Sequence, residues 1–116
     1  MVTGQDIVHC AQTIGKGPGW GWESTYQKMD SSGLVVYCYK KVAGISLPHG
    51  TRYLINKGTK VAQKDLKPGD LVFPHPGHVG ISMGGNQYIH MPQTGDVVRI
   101  STIKKFYTAR RILQDN

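Results

Sequence analysis

Acidic residues are scarce in this chain of 116 residues: seven Asp and Glu stand against fourteen Lys and Arg, a formal net charge of +7. So basic a balance suits polyanionic surroundings, and bacterial walls and nucleic acid both qualify. The basic residues never stand more than two together, whereas nucleic-acid binders gather them on one helix or stripe with stacking aromatics between. Cysteine is nearly missing as well. Cys10 and Cys38 are too few for a disulfide scaffold and wrongly spaced for a zinc motif. A single bridge between them stays open, beside the plainer reading of two small core residues. No apolar run reaches the ~20 residues that cross a bilayer, so membrane insertion is not expected. The first residues, Met1-Val2-Thr3-Gly4-Gln5-Asp6, lack the basic stretch and apolar core of a signal peptide. Apolar residues make up 39%, low for a globular chain but too high for disorder, and the length suits a single domain over residues 1–116.

What is present divides into a helical front and a stranded back. Thr3-Gly4-Gln5-Asp6 has the spacing of a capping box, with Asp in place of Glu or Gln. Ile7, Val8, Ala11 and Ile14 then recur at helical spacing, with Gly15 as a stop. Residues 15–29 form a Gly-rich loop holding Trp20 and Trp22, aromatics that such a loop presents to a ligand. A second helix is predicted from Ser31 or Ser32, burying Leu34, Val35, Cys38 and Val42 and ending at Gly44. A short helix over residues 52–56 closes at Gly58, and Pro68-Gly69 is placed for a type II turn. Strands are predicted over 71–73, 78–83, 87–90, 96–101 and 108–113, with Gly84-Gly85-Asn86 turning the second into the third. Helices first and a strand meander afterwards describe an α+β domain: N-terminal helices packed on an antiparallel sheet of about five strands.

Three residues converge on chemistry. Ser31 stands at a helix N-terminus, where unpaired N–H groups and the helix dipole favour negative charge. His78 opens an apolar strand and His90 closes the next, so a hairpin brings the two imidazoles side by side. A nucleophile at a helix end, a base and an orienting group form a nucleophilic triad. By itself Ser31 reads first as a helix cap, and it is the histidines and flanking motifs that favour the site. His75 with His78, His90 and Cys38 offers zinc-ligand chemistry, although His75-x-x-His78 in a Pro-flanked turn is not a usual ligand pair. His9 and His49 read as incidental.

Four segments occur in the order found in one family. Asp30-Ser31-Ser32-Gly33-Leu34-Val35, Asp65-Leu66-Lys67-Pro68-Gly69-Asp70-Leu71-Val72-Phe73, His78-Val79-Gly80-Ile81 and Ile89-His90-Met91-Pro92-Gln93-Thr94-Gly95-Asp96-Val97-Val98 resemble the NlpC-type cell-wall peptidases. The resemblance implies a papain-like fold and cleavage of peptidoglycan stem peptides without metal or cofactor. It implies that Ser31 occupies the place of the nucleophilic cysteine, His78 that of the catalytic base and His90 that of the orienting residue. Asp30 and Ser32 fall on the subsite for the free amine of the stem peptide. The family carries a Tyr-x-Trp-Gly-Gly-like stretch upstream; here Pro18-Gly19-Trp20-Gly21-Trp22 has no tyrosine in register, leaving Trp20 or Trp22 to fill the space and Tyr26 to supply the phenol.

Serine in the nucleophile slot changes the chemistry. A thiol near pKa ~8.5 falls to ~3.5–7.5 at a helix end beside a histidine, whereas a serine hydroxyl does not ionise there. The chain as written is expected to be nearly inactive. Ser31 has three accounts: a deliberate Cys→Ser change, a natural serine in a wall-binding relative, or a working serine hydrolase. The functions in competition are a peptidoglycan peptidase disabled at position 31, a non-catalytic wall-binding module on the same groove, and a basic nucleic-acid-binding domain. The first is favoured, with stem peptides as partner, no nucleic acid, and a monomer. Action at the bacterial wall without a signal peptide implies a domain of a larger secreted or phage-borne protein, or a phage lytic enzyme exported by other means.

Overall fold

The computed structural model describes residues 1–14, 30–93 and 97–114. Helix α1 (Gly4–Ile14) starts with the reciprocal bonds its sequence announces. Thr3 N donates to Asp6 Oδ2 at 2.9 Å and Asp6 N donates to Thr3 Oγ1 at 3.3 Å, so the shorter Asp closes a capping box. Helix α2 (Ser31–Ala43) is capped by Asp30, whose Oδ1 accepts from Gly33 N at 2.7 Å. It ends at Gly44, held at φ 67°, with Gly44 N on the Lys40 carbonyl and Ile45 N on that of Tyr39. That left-handed residue and the two returning bonds are why glycine stands there. Gly15, the predicted stop of α1, lies outside the described residues.

Both helices bury the faces their periodicity marks: Ile7, Val8, Ala11 and Ile14 on α1, and Leu34, Val35 and Cys38 on α2, with Val42 partly buried beside them. Cys10 and Cys38 meet between the helices as free thiols. Their mutual hydrogen bond and burial push the Cys38 thiol well up, so it stays protonated. A short helix α3 (Thr51–Leu54) follows, with Leu54 as its one buried residue.

Among the described residues six antiparallel strands make the sheet, in the order β1-β6-β2-β3-β4-β5. They are β1 (Thr59–Lys60), β2 (Leu71–Phe73), β3 (Gly80–Ser82), β4 (Gln87–His90), β5 (Arg99–Thr102) and β6 (Thr108–Arg111). The expectation of about five strands missed β1. Its two residues are both exposed and carry no alternation, so it exists only because β6 supplies a ladder, Thr59 against Arg111 and Lys60 against Arg110. The strand expected from residue 78 starts two residues later, leaving His78 and Val79 ahead of the ladder.

Each sheet face has its own apolar cluster. Leu71, Phe73, Ile81 and Ile89 turn to the helices, while Val61, Leu66, Val72, Tyr88, Ile103 and Ala109 cover the far side. The layers are tied by polar contacts as well. Tyr39 Oη on α2 donates to the Gly69 carbonyl at 2.5 Å. Asp70, 1% exposed, receives Arg111 Nε at 2.9 Å and Nη2 at 2.8 Å, and Lys67 N at 2.8 Å. Among the described residues no helix is long and apolar enough to cross a membrane.

Arg111→Met strips the two-pronged partner from a buried carboxylate. It is expected to cost ~3–5 kcal/mol of stability, read from urea unfolding. A loss below about 1 kcal/mol would show that the pair is solvated.

Candidate active site

Capping places the first site residue. Because Asp30 fixes the start of α2, Ser31 sits on its first turn, where backbone N–H groups have no partner within the helix. Asp30 Oδ1 also receives Ser32 Oγ at 2.9 Å and lies 2.9 Å from His49 Nε2. Burial works against the Asp30 charge, but the bonds from His49, Gly33 and Ser32 outweigh it and hold the carboxyl below its usual range.

The second part comes from the sheet. His78 leaves the Pro74–Gly77 turn with its N–H on the His75 carbonyl at 3.2 Å. Its Nε2 lies 2.7 Å from His90 Nδ1, the rings meeting edge to face with centroids 4.9 Å apart. His90 Nε2 in turn lies 2.9 Å from Ser101 Oγ on β5. Tyr88 stacks on the His90 ring at 4.2 Å. The chain Ser101–His90–His78 therefore occupies both nitrogens of His90 and Nε2 of His78, so Nδ1 of His78 is the nitrogen that remains for the cleft. Burial, then the charges of His78 and Arg99, lower the His90 pKa to about 4. Burial, then His75, lowers that of His78 as well.

A cleft of about 480 Å³ joins these parts. It is lined by Asp30, Ser31 and Ser32 at the start of α2, by Gly77 and His78 ahead of β3, and by Met91, Pro92 and Gln93 after β4. Four sequence-predicted residues, Asp30, Ser31, Ser32 and His78, thus share one wall-to-wall space, and His90 stands behind His78. Ser32 is 2% exposed and spends its hydroxyl on Asp30, which makes it a support for that carboxylate. Trp20 and Tyr26 lie outside the described residues. His75 stacks beside His78 at 5.9 Å. Cys38 faces Cys10 and not the imidazoles, and among the described residues no three His, Cys, Asp or Glu side chains gather around a common point.

Sequence reasoning missed three parts of the site. His49, read as incidental, bonds Asp30 across 19 positions, a contact that no motif in the sequence marks. Ser101 lay inside a predicted strand with nothing to mark its partner. Gly50, Thr51 and Arg52 supply the remaining wall of the cleft.

The depressed imidazoles have a consequence for stability. Between about pH 6.5 and about pH 4 the unfolded chain binds protons that folded His90 excludes. Stability is then fully present above the unfolded value and lost as pH falls through the folded one. Urea unfolding at about pH 7 and about pH 4.5 is expected to show that loss, and His90→Asn to lose less over the same interval. An equal loss in both proteins would place the effect elsewhere.

Residues 17–116 match the NlpC/P60 family. The chain is 35% identical to the probable endopeptidase YafL of Escherichia coli K12, covering 98% of this chain and 51% of that protein. It is 34% identical to the murein DD-endopeptidase MepH of the same organism, over 85% and 40% of the two lengths. The chain therefore spans about half the length of the curated relatives it matches. The crystal structure of the NlpC/p60 domain of peptidoglycan hydrolase SagA superimposes with a TM-score of 0.79 at 35% identity, over 96% of this chain and all of that one. With the helix-borne Ser31, the paired imidazoles and these matches together, the chain belongs to the NlpC/P60 family.

Proposed function

We propose that this chain is a single peptidase domain of peptidoglycan, acting on amide bonds of the stem peptide, with Ser31 in the nucleophile position, His78 as base and His90 as orienter. The observation that carries this reading is the shared cleft of Ser31 and His78, with His78 Nε2 tied to His90 at 2.7 Å. YafL and MepH are named as endopeptidases, the latter of murein, and that activity is carried to this chain as part of the proposal. The domain acts at the bacterial wall as part of a larger secreted or phage-borne protein.

With a cysteine at position 31, the proposed mechanism runs through the residues that share the cleft and the imidazole behind them. Helix end and imidazole together stabilise a thiolate facing an imidazolium. The thiolate attacks the amide carbonyl, and backbone N–H at position 31 donates to the oxyanion, a contribution of ~2.7–4 kcal/mol per donor. His78 gives its Nδ1 proton to the leaving amine, so an acyl-enzyme forms and the C–N bond breaks. Water then gives a proton back to His78 and its hydroxide to the acyl carbon, freeing the acid and the thiol. An imidazolium at His78 needs an acceptor at His90 Nδ1. His90 must then carry its proton on Nε2 and donate it to Ser101 Oγ. The low pKa of His90 keeps it neutral for this task. Asp30 receives the free amine of the stem peptide, held in place by Ser32.

Serine supports a second reading. A hydroxyl in this site does not ionise, so the chain as written binds stem peptides in the same cleft without cutting them.

Ser31→Cys is expected to release stem-peptide fragments from purified walls, with mass spectrometry naming the cut bond, while the chain as written binds the same fragments. The new thiol should react with iodoacetamide faster than the buried Cys10 and Cys38. In the Ser31→Cys background, His78→Ala should abolish turnover, His90→Ala leave a remainder, and His75→Ala do little. Ser101→Ala should slow turnover about tenfold, the kinetic equivalent of one ~1.5 kcal/mol hydrogen bond, and Ser101→Thr should restore it. No fast thiol and no cleavage of walls from diverse bacteria would leave only the wall-binding reading.

A further inference from the structure

Away from the cleft, the sheet edge holds a second pocket of about 360 Å³, lined by Ile55, Asn56, Lys60, Tyr107, Thr108 and Arg110. Its construction follows from strand alternation. Lys60 and Arg110 are direct partners across β1 and β6, so their side chains leave the same face, and Thr108, two residues along, joins them. Arg111, one residue on, turns the other way and is consumed by Asp70. The two adjacent arginines therefore have opposite fates: one ties the fold together, the other faces a pocket.

Two buried atoms of the residues that line this pocket are unexplained by the fold. Thr108, 6% exposed, has a buried Oγ1 with no hydrogen-bond partner among the described residues, and the same holds for Arg110 Nε. Buried polar groups are almost always paired, and leaving one unmade costs ~1–3 kcal/mol. Among the described residues no acidic one lines the space, and neither Lys60 nor Arg110 takes part in an ion pair. At the rim stands Tyr107, 59% exposed, an aromatic face that no core requirement accounts for.

We propose that this pocket is a second, non-catalytic site that binds a phosphate ester carried on a sugar or polyol chain of the wall. The donors come from three separate segments, β1, β6 and the turn after α3. That suits a group with oxygens on every side better than a planar carboxylate, which an arginine fork meets edge-on. The volume exceeds a bare phosphate and leaves space for the attached carbon chain or ring beside Tyr107. A single exposed aromatic does not make the row of stacking platforms that single-stranded nucleic acid uses. Asn56 and Ile55 line this pocket while Thr51 and Arg52, on the same short segment, line the cleft, so a polymer held here lies next to the proposed cutting site.

The test is a titration of the isotope-labelled chain followed by ¹⁵N–¹H spectra, with inorganic phosphate, then glycerol 1-phosphate, succinate and a short single-stranded DNA. Saturable shifts are expected at the Lys60 and Thr108 amides and at the Arg110 Nε–H, with the His78 amide unmoved and glycerol 1-phosphate tighter than phosphate. Arg110→Gln and Lys60→Gln are each expected to weaken glycerol 1-phosphate about tenfold, as losing one charge-assisted hydrogen bond does. Lys60 is exposed, so its variant stays folded even if Arg110→Gln does not, and the same spectra report folding. No saturable shift at these residues overturns the proposal. So do shifts confined to the cleft, succinate binding as tightly, DNA binding more tightly at the same residues, or unchanged affinity in a folded Lys60→Gln.

Discussion

The geometry of the site depends on a side chain that is not there. A Cβ built on Gly80 would lie 2.3 Å from the Tyr88 ring and 2.9 Å from His90 Cβ, distances that real atoms do not keep. Glycine lets β3 and β4 close with Ile81 opposite Ile89 while Tyr88 and His90 fold over the gap. Tyr88 then presses flat against the imidazole and fixes its plane. With the plane fixed, Nδ1 points at His78 and Nε2 at Ser101. The sequence His78-Val79-Gly80-Ile81 thus alternates site, core, void and core, each residue type answering to the face it occupies.

Asp30 exerts the matching constraint from the helix side. One carboxylate oxygen caps α2, receives the Ser32 hydroxyl and meets His49. The cap determines where the helix begins, and the beginning determines which residue has an N–H exposed to the cleft. Stability and chemistry are therefore not separable at this position. Losing the carboxylate would fray the first turn, where a cap is worth ~0.5–2 kcal/mol, and would also release the residue that follows it.

Legibility in the sequence tracked how local each determinant is. The two long helices could be read because both ends carry their own chemistry: Thr3 with Asp6, Asp30 with Gly33, and Gly44 with its positive φ. Strands β2 and β4 were legible from short apolar runs between turns. Strand β1 was not, since Thr59 and Lys60 have no pattern and depend on a partner fifty residues away. The site divides the same way. Asp30, Ser31, His78 and His90 lie in motifs, whereas His49 and Ser101 act through contacts across 19 and 11 positions that only the folded chain creates. Arg110 and Arg111 are the sharpest case. Sequence shows two like neighbours, and only the sheet tells which is buried in an ion pair.

In the proposed mechanism, position 31 and the histidine pair, whose His78 shares its cleft, act as one electrostatic system. Burial lowers the pKa of His78 and still more that of His90, and nothing among the described groups around the pair contributes an opposing negative charge to them. In this state the imidazoles are neutral near pH 7. A thiolate at the end of α2 would supply the missing anion, favour the cationic form of His78 and so raise its pKa, while the imidazolium would lower that of the thiol. Each ionisation stabilises the other. Serine breaks this coupling from one side: its hydroxyl stays neutral, so His78 stays neutral as well, and the helix dipole has no charge to hold. The low pKa values of the two histidines follow first from their burial, and in the proposed mechanism a thiolate at position 31 is the anion that would raise that of His78.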